Sequence, residues 1–208
     1  IRRNIDVNII LFNNEIYGLT KGQYSPTSKP GLTTGSSPFG SIDRPFSPAR
    51  FALGCGSTFF ARTIDTDPKH MIEVMKQAHS HKGTSVIEVF QNCIIFNDKV
   101  HDDYTNRGTR EENSIRLEAG KPMIFGKEKD QGMIMEDYEL KKVKLADGYS
   151  EDQLVVHDPT NKGLAHLLSN MEYPDCPVPI GVMKVVEAVH SYDEDFHNQI
   201  NEQVQEKG

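Results

Sequence analysis

A segment rich in amides, glycines and hydroxyls directly follows an apolar run near the start of the chain. The run is VNIILF (7–12), and the segment is NNEIYGLTKGQYSPTS (13–28). An Asn side-chain oxygen and a backbone carbonyl two residues later can bind one Mg²⁺, an ion that prefers oxygen ligands and often bridges to phosphates. Glycines let the backbone approach a diphosphate closely, and Thr20, Gln23 and exposed N–H groups can donate to its oxygens. A simple turn is the alternative, because Asn tolerates left-handed backbone geometry.

The elements around this segment follow an alternating pattern. The continuous apolar run at 7–12 predicts a strand covered on both faces in a parallel sheet. Ser47 and Pro48 predict the start of a short helix, and Asp67 and Pro68 open an amphipathic one. This alternation predicts an α/β fold with a doubly wound, mostly parallel sheet and a C-terminal extension. The remaining predicted elements are strands at 57–64 and 84–90, the longer helix at 67–81, and a long loop at 18–46.

The sequence becomes more polar after about residue 97. A hairpin is predicted near KEKDQG (127–132), a short helix at 163–171 and a frayed acidic helix at 191–208. The apolar content of this part is thin for an independent core. We therefore predict a domain at 1–96 and an extension at 97–208 that makes subunit contacts.

Composition excludes several classes of protein. The net charge of −7 and the scattered basic residues argue against a nucleic-acid partner, and KKVK (141–144) is interpreted as a solvated strand face. No run is long and apolar enough for a membrane span, and no signal-peptide pattern is present. Three cysteines, at 55, 93 and 176, are far apart and odd in number, which is typical of a reduced cytoplasmic protein.

Three stretches carry a resemblance to a known family: LFNNEIYGLTKGQYSPTS (11–28), GSIDRPFSPARFALGCGSTFFART (40–63) and GTSVIEVFQNCIIFND (83–98). Together they resemble the β subunit of the 2-oxoacid:ferredoxin oxidoreductases, with the 2-oxoglutarate branch nearest, over residues 1 to roughly 160. The resemblance implies thiamine diphosphate with Mg²⁺ in this subunit, decarboxylation of a 2-oxoacid to an acyl-CoA, and transfer of two electrons through iron–sulfur clusters to ferredoxin. It also implies an α (or fused α/γ) subunit as partner.

The resemblance assigns roles within the opening segment. Asn14 matches the side-chain Mg²⁺ ligand and Ile16 the carbonyl ligand, with Asn13 as the alternative if the alignment is shifted by one residue. Lys21 is predicted to bind the distal carboxylate of the substrate, with a solvated loop lysine as the alternative. Leu19 is predicted to set the size of the substrate pocket, with plain packing as the alternative. The segment lining the cofactor comprises Tyr17, Gly18, Leu19, Thr20, Lys21, Gly22 and Gln23.

The resemblance also predicts that part of the site lies outside this chain. The Gly-Asp-Gly half of the family's cofactor motif, with a third Mg²⁺ ligand, is not in the sequence, so we expect that an N-terminal part is missing and that this chain alone is inactive. Cys93 matches one ligand of a [4Fe–4S] cluster whose other three cysteines are likewise not here. Taken alone, Cys93 is interpreted as a small buried hydrophobe.

Other candidates and functions stay open. His79 and His81 form an H-x-H pair that is interpreted as a helix terminus because two further zinc ligands are not found. HDD (101–103) is interpreted as a solvated loop, with cation binding as the alternative. The alternative functions are a non-catalytic scaffold or binding chain, and a thiamine diphosphate enzyme without redox chemistry.

Overall fold

The computed structural model describes residues 1–187 and 189–207 as one central sheet with helices on both faces and two smaller sheets. In chain order the elements are β1 (Asn8–Asn13), β2 (Ile16–Tyr17), β3 (Gln23–Tyr24), α1 (Pro48–Gly54), β4 (Phe59–Ile64), α2 (Pro68–Ser80), β5 (Ser85–Phe90), α3 (Asp102–Thr105), α4 (Arg110–Asn113), β6 (Ser114–Arg116), β7 (Ile124–Phe125), β8 (Gln131–Glu136), β9 (Glu139–Lys144), α5 (Lys162–Leu168), β10 (Val178–Val185) and α6 (Tyr192–Lys207), with 3₁₀ turns at Leu145–Asp147 and Glu151–Gln153.

The central sheet has the strand order β1-β5-β4-β10-β6. β1 and β4 both pair with β5 in parallel, while β10 runs antiparallel to β4 and parallel to β6. Every residue of β4 and β5 is buried, which explains their continuous runs FFARTI and SVIEVF. The predicted α/β fold with a mostly parallel sheet is confirmed.

Strand β1 differs from its prediction in burial. The strand itself is present, but it is the edge strand of the sheet and pairs only with β5 there. Its apolar side chains are largely exposed, with Phe12 at 56% and Ile10 at 41%. The prediction that both of its faces are covered is wrong for this chain, because α1 and α2 pack over β4 and β5 and leave the faces of this edge strand open.

Two capped helices pack on opposite faces of the sheet, as the sequence predicts. The Ser47 side chain accepts a hydrogen bond from the Arg50 N–H at the start of α1, and Asp67 accepts one from the His70 N–H at the start of α2. Because neighbouring strand residues point to opposite faces, Phe60 packs with Ala49, Ala52 and Leu53 of α1, while Phe59 packs with Val74 and Ala78 of α2.

The C-terminal half contributes directly to the same core. β10 lies between β4 and β6, and Met183 of β10 packs with Leu164 and Leu168 of α5 and with Phe60 of β4. The predicted hairpin is the β7–β8 pair, α5 matches the short helix, and α6 matches the acidic ending. The boundary at residue 96 stays a prediction. In residues 1–187 and 189–207, no helix combines the length and apolarity that crossing a bilayer requires.

Candidate cofactor-binding site

The candidate site lies where β1 and β5 end side by side. Asn13 pairs with Phe90 in the parallel register, so the loops that follow both strands leave the same edge of the sheet. The chain then forms the small hairpin β2–β3, whose turn is closed by the Lys21 N–H donating to the Gly18 carbonyl at 3.0 Å and the Gly22 N–H donating to the Tyr17 carbonyl at 3.1 Å. This edge is where ligands bind in open α/β sheets.

The side-chain amide of Asn14 uses only part of its hydrogen-bonding capacity. Its Nδ2 donates to Gln91 Oε1 at 3.3 Å, and its Oδ1 accepts from the Ile16 N–H at 3.3 Å. Asn14 is half-buried. Because an amide oxygen has two lone pairs, Asn14 Oδ1 retains one for a cation. The amide oxygen therefore fits the ligand chemistry of Mg²⁺.

Asn13, the alternative ligand, is buried and fully engaged. Its Nδ2 donates to Glu88 Oε1 at 2.9 Å, while its Oδ1 accepts from Thr27 Oγ1 at 2.7 Å and from the Glu15 N–H at 3.3 Å. Both lone pairs of this oxygen are occupied. Of the two amide oxygens, only that of Asn14 therefore has an uncommitted lone pair.

The side chains of the hairpin turn point into solvent. Leu19 is 100% exposed, so it does not pack within the described part of the chain, and Lys21 and Gln23 are also exposed. Lys21 adopts a left-handed backbone with φ of 63°. A cleft of about 580 Å³ adjoins the hairpin; it is lined by Tyr17, Gln23, Tyr24, Ser25, Pro26, Ser36, Asp43, Arg44 and Phe46.

The loop after β5 packs against the hairpin and carries Cys93. A Cβ added at Gly18 would stand 4.0 Å from Cys93 Sγ, and one at Gly22 would stand 3.0 Å from Phe96 Cδ1. Cys93 is half-buried and its thiol is free. Among residues 1–187 and 189–207, no group of three or more His, Cys, Asp or Glu residues is arranged to hold a metal.

A buried charged network supports this edge of the sheet, and sequence reasoning missed it. Arg62 Nε donates to Glu88 Oε2 at 2.8 Å, with side chains 8% and 1% exposed. The two residues face each other in the β4–β5 register, and Glu88 also accepts from Asn13. The sequence did contain a signal for this pair: each of the two buried strands carries a single charged residue. Because charged residues are rarely buried without partners, two such residues in neighbouring strands indicate an ion pair.

His101 is a second residue that the sequence interpretation misplaced. It is 2% exposed, so the prediction of a solvated loop at 101–103 is wrong there. Its Nε2 donates to the Asn13 carbonyl at 2.9 Å and its Nδ1 lies 2.6 Å from Tyr104 Oη. The ring packs against Phe90, with centroids 4.9 Å apart. The loop folds back because these aromatic contacts and hydrogen bonds hold it against the end of the sheet.

Glu15 lies between the two candidate metal ligands in a strained conformation. Its φ is 52°, and its Oε1 is 3.8 Å from His101 Nδ1. Burial raises the pKa of this carboxyl to about 7, against a smaller opposing effect of Lys29. Burial lowers the pKa of His101, against smaller opposing effects of its hydrogen bond to Asn13 and of Glu88.

The remaining sequence candidates are separate from this site. His79 lies in the last turn of α2 and His81 ends the helix, where His81 Nε2 is 2.9 Å from Thr58 Oγ1. Both positions agree with the helix-terminus interpretation. A second open groove, about 1110 Å³, runs along α2 and β10 and contains none of the predicted cofactor residues.

Comparison with known proteins identifies the relatives of this chain. Residues 1–89 match the family model of the thiamine pyrophosphate enzyme C-terminal TPP-binding domain. The 2-oxoglutarate oxidoreductase subunit KorB of Mycobacterium tuberculosis is 44% identical over 158 residues, which are 76% of this chain and 42% of that protein. The β subunit of the Saccharolobus solfataricus 2-oxoacid:ferredoxin oxidoreductase is 43% identical over 106 residues, 51% of this chain and 35% of that protein. The chain is a homologue of the β subunits of 2-oxoacid:ferredoxin oxidoreductases.

A solved structure supports the same relationship through the fold. The 2-oxoglutarate:ferredoxin oxidoreductase from Magnetococcus marinus, solved with 2-oxoglutarate, coenzyme A and succinyl-CoA bound, matches with a TM-score of 0.69 and 25% identity, over 98% of this chain and 55% of that one. The chain spans less than half the length of the curated β subunits named above. The resemblance predicted from the three sequence stretches is confirmed, and Asn14 to Gln23 lie within the matched thiamine pyrophosphate domain.

Proposed function

We propose that this chain is the portion of a 2-oxoacid:ferredoxin oxidoreductase β subunit that forms half of a thiamine diphosphate site, with 2-oxoglutarate as substrate. The reaction would be oxidative decarboxylation to an acyl-CoA with electron transfer to ferredoxin. The observation that carries the proposal is the Asn14 amide oxygen, which keeps a lone pair beside a glycine hairpin at the carboxyl end of β1. The homology to KorB supports the choice of substrate.

Asn14 Oδ1 and the Ile16 carbonyl would hold Mg²⁺. Because the ion takes six oxygen ligands, the diphosphate, water and residues outside this chain would supply the rest. The chemistry that bound thiamine diphosphate supplies is stabilisation of negative charge on the substrate carbon. Tyr17, Gly18, Thr20, Gly22 and Gln23 would line the diphosphate, with the positive φ of Gly22 (95°) giving the turn its shape.

Lys21 would bind the distal carboxylate of 2-oxoglutarate, and Leu19 would border the substrate. Both side chains leave the hairpin toward solvent in this chain, so they are available to a substrate held between subunits. A lysine is a compact positive charge suited to a carboxylate. This arrangement favours a dicarboxylic over a monocarboxylic 2-oxoacid.

Cys93 would supply one thiolate to a [4Fe–4S] cluster, with three cysteines from outside this chain. Its half-buried thiol lies beside Gly18, next to the cofactor hairpin. A cluster at this place would be close to the proposed cofactor site. Such a cluster would supply one-electron transfer toward ferredoxin.

Exposed apolar side chains around the site support a partner subunit. Five of them, from the 18–46 loop and the loop after β5, are at least 78% exposed: Leu19, Phe39, Ile42, Ile94 and Ile95. Apolar patches of this kind mark interaction surfaces. We propose that they contact the α (or α/γ) subunit, which would complete the cofactor and coenzyme A sites in a cytoplasmic enzyme.

The proposal is tested on the purified natural complex. Thiamine diphosphate, magnesium and iron should all be present, and 2-oxoglutarate should be turned over in the presence of coenzyme A and ferredoxin. Cofactor without iron would support the non-redox enzyme instead. Absence of both cofactor and turnover would support the scaffold chain. Either result overturns the proposed function.

Substitution of Lys21 tests the substrate assignment. Lys21→Ala should lower kcat/KM for 2-oxoglutarate at least about tenfold more than for pyruvate, which corresponds to ~1.4 kcal/mol of lost interaction. Lys129→Ala is the matched control, because Lys129 is also an exposed hairpin lysine with positive φ (52°). Equal losses on both substrates would contradict the carboxylate role of Lys21.

A further inference from the structure

The side chain of Asn97 connects the two loops that the proposed function uses. Its Nδ2 donates to the Asn14 carbonyl at 3.0 Å and to the Glu15 carbonyl at 3.3 Å. Its backbone N–H donates to the Cys93 carbonyl at 2.9 Å and closes the turn that carries Cys93. One residue therefore contacts both the candidate Mg²⁺ segment and the candidate cluster segment.

The backbone that Asn97 holds is the strained part of the cofactor loop. Glu15 has a φ of 52°, and a non-glycine residue keeps this strained backbone only when its neighbours hold it in place. The Glu15 carbonyl accepts from both Asn97 Nδ2 and Ser28 Oγ. These donors fix the peptide groups on either side of Glu15, and hence the direction in which the chain carries Asn14 and Ile16.

The end of β1 is held by other donors. The Asn13 carbonyl accepts from the Gln91 N–H at 3.0 Å and from His101 Nε2 at 2.9 Å, and Asn13 Nδ2 is bonded to Glu88. These contacts do not involve Asn97. Loss of its amide donor should therefore leave the sheet intact and release the Asn14 carbonyl, while the Glu15 carbonyl keeps only its bond from Ser28 Oγ.

We propose that Asn97 is a positioning residue of the thiamine diphosphate site, which orients the Asn14–Ile16 backbone for Mg²⁺ and couples it to the turn that bears Cys93. The inference rests on the proposed function. Groups that orient metal ligands without touching the metal contribute about 10–100-fold to metal affinity or activity in other sites.

The test compares Asn97→Asp with Asn113→Asp in the complete complex. Asn113 Nδ2 also donates to a backbone carbonyl, that of Asp103 at 2.7 Å, but outside the candidate site. Both substitutions replace an amide donor by an acceptor. Asn97→Asp should raise the apparent Kd for Mg²⁺ and thiamine diphosphate about tenfold or more, and Asn113→Asp should leave it unchanged.

Two further readouts separate positioning from a general loss of structure. At saturating Mg²⁺ and thiamine diphosphate, kcat for Asn97→Asp should recover toward the wild-type value, and the KM for 2-oxoglutarate should not change. Asn97→Gln, which keeps the amide on a longer side chain, should restore part of the cofactor affinity. The thermal midpoint of the apo complex should stay within a few degrees of wild type in all variants.

The outcomes distinguish this inference from the proposed function. If the wild-type complex binds no thiamine diphosphate, the proposed function fails. If it binds normally and Asn97→Asp matches Asn113→Asp, only the role of Asn97 is overturned. Unfolding of both Asn97 variants would also count against the inference, which requires Asn97 to act on the loop alone.

Discussion

At the scale of single residues, Arg62 and Glu88 form an ion pair that is buried between β4 and β5 and hydrogen-bonded to Asn13. Arg62→Met should lower the free energy of unfolding by about 3–5 kcal/mol, because it leaves Glu88 charged and buried without its partner. Adding Glu88→Gln should recover most of that loss, since glutamine keeps an oxygen acceptor for Asn13. Urea denaturation of the single and double variants measures both effects.

A solvent-exposed ion pair provides the control for the buried Arg62–Glu88 pair. Lys121→Met breaks the solvent-exposed pair with Glu118 and should cost less than about 1 kcal/mol. Additive losses in the Arg62 and Glu88 variants would contradict the coupling between them.

His70 gives the protein a pH-dependent stability. Burial, with a smaller effect of Arg116, lowers the pKa of His70 to about 4 from 6.5, against an opposing effect of Asp67. The unfolded chain binds this proton below pH 6.5 and the folded chain only below about 4, so stability should fall as the pH drops through that range. The loss is at most about 3 kcal/mol.

Substitution of His70 should remove this pH dependence. We expect the free energy of unfolding of His70→Gln to change less between pH 7 and pH 4.5 than that of wild type, as measured by urea denaturation at several pH values. His79→Gln, on the exposed side of the same helix, should follow the wild-type curve. Parallel curves for all three proteins would exclude His70 as the source.

The sequence predicts the site residues only where their chemistry is local. The amides and glycines of 13–28 allow either a phosphate-type loop or a simple turn by themselves, and the family resemblance favours the loop; the structure places them at the carboxyl edge of the sheet. The Arg62–Glu88 pair depends on strand register, and the burial of His101 depends on how the loop after β5 folds back onto Phe90. Both are tertiary features that periodicity does not contain.

At the scale of elements, the β2–β3 hairpin depends on a glycine in its turn. Gly22 has a φ of 95°, and a Cβ there would stand 3.0 Å from Phe96 Cδ1. Gly22→Ala should lower the free energy of unfolding by more than about 1 kcal/mol, because backbone strain adds to the displacement of the Phe96 ring. Chemical denaturation measures this loss.

Gly35 provides the comparison for Gly22. No atom lies within 4 Å of a Cβ added there, so Gly35→Ala should be neutral or slightly stabilising through the unfolded chain. Similar effects of the two substitutions would show that neither the positive φ nor the Phe96 contact constrains the hairpin.

Elements with strong local signals are the ones that the sequence predicts well. Ser47 and Asp67 cap α1 and α2 at the predicted positions, and the apolar runs of β4 and β5 are buried as expected. The exposure of β1 was not predicted, because an apolar run indicates a strand but does not show whether helices pack over its faces.

At the scale of the whole molecule, the sheet unites segments that are far apart in sequence. β10 pairs with β4 across more than a hundred residues, and the core on the α1 face contains residues from both halves. Alternation of strands and helices predicts the parallel part of the sheet, but it does not predict that a later strand inserts antiparallel between β4 and β6.

This arrangement predicts opposite results for two truncations of the chain. Ending it after Ser191 removes only α6, whose described side chains are all exposed, so the rest should unfold cooperatively with a midpoint within a few degrees of the full chain. Ending it after Asp175 also removes β10, which uncovers Phe60 and leaves β4 without one partner. The chain that ends at Asp175 should lose cooperative unfolding, because it lacks a central strand of the shared core. Circular dichroism during heating distinguishes the two, and a stable fold after the second truncation would show instead that residues 1–175 form their own core.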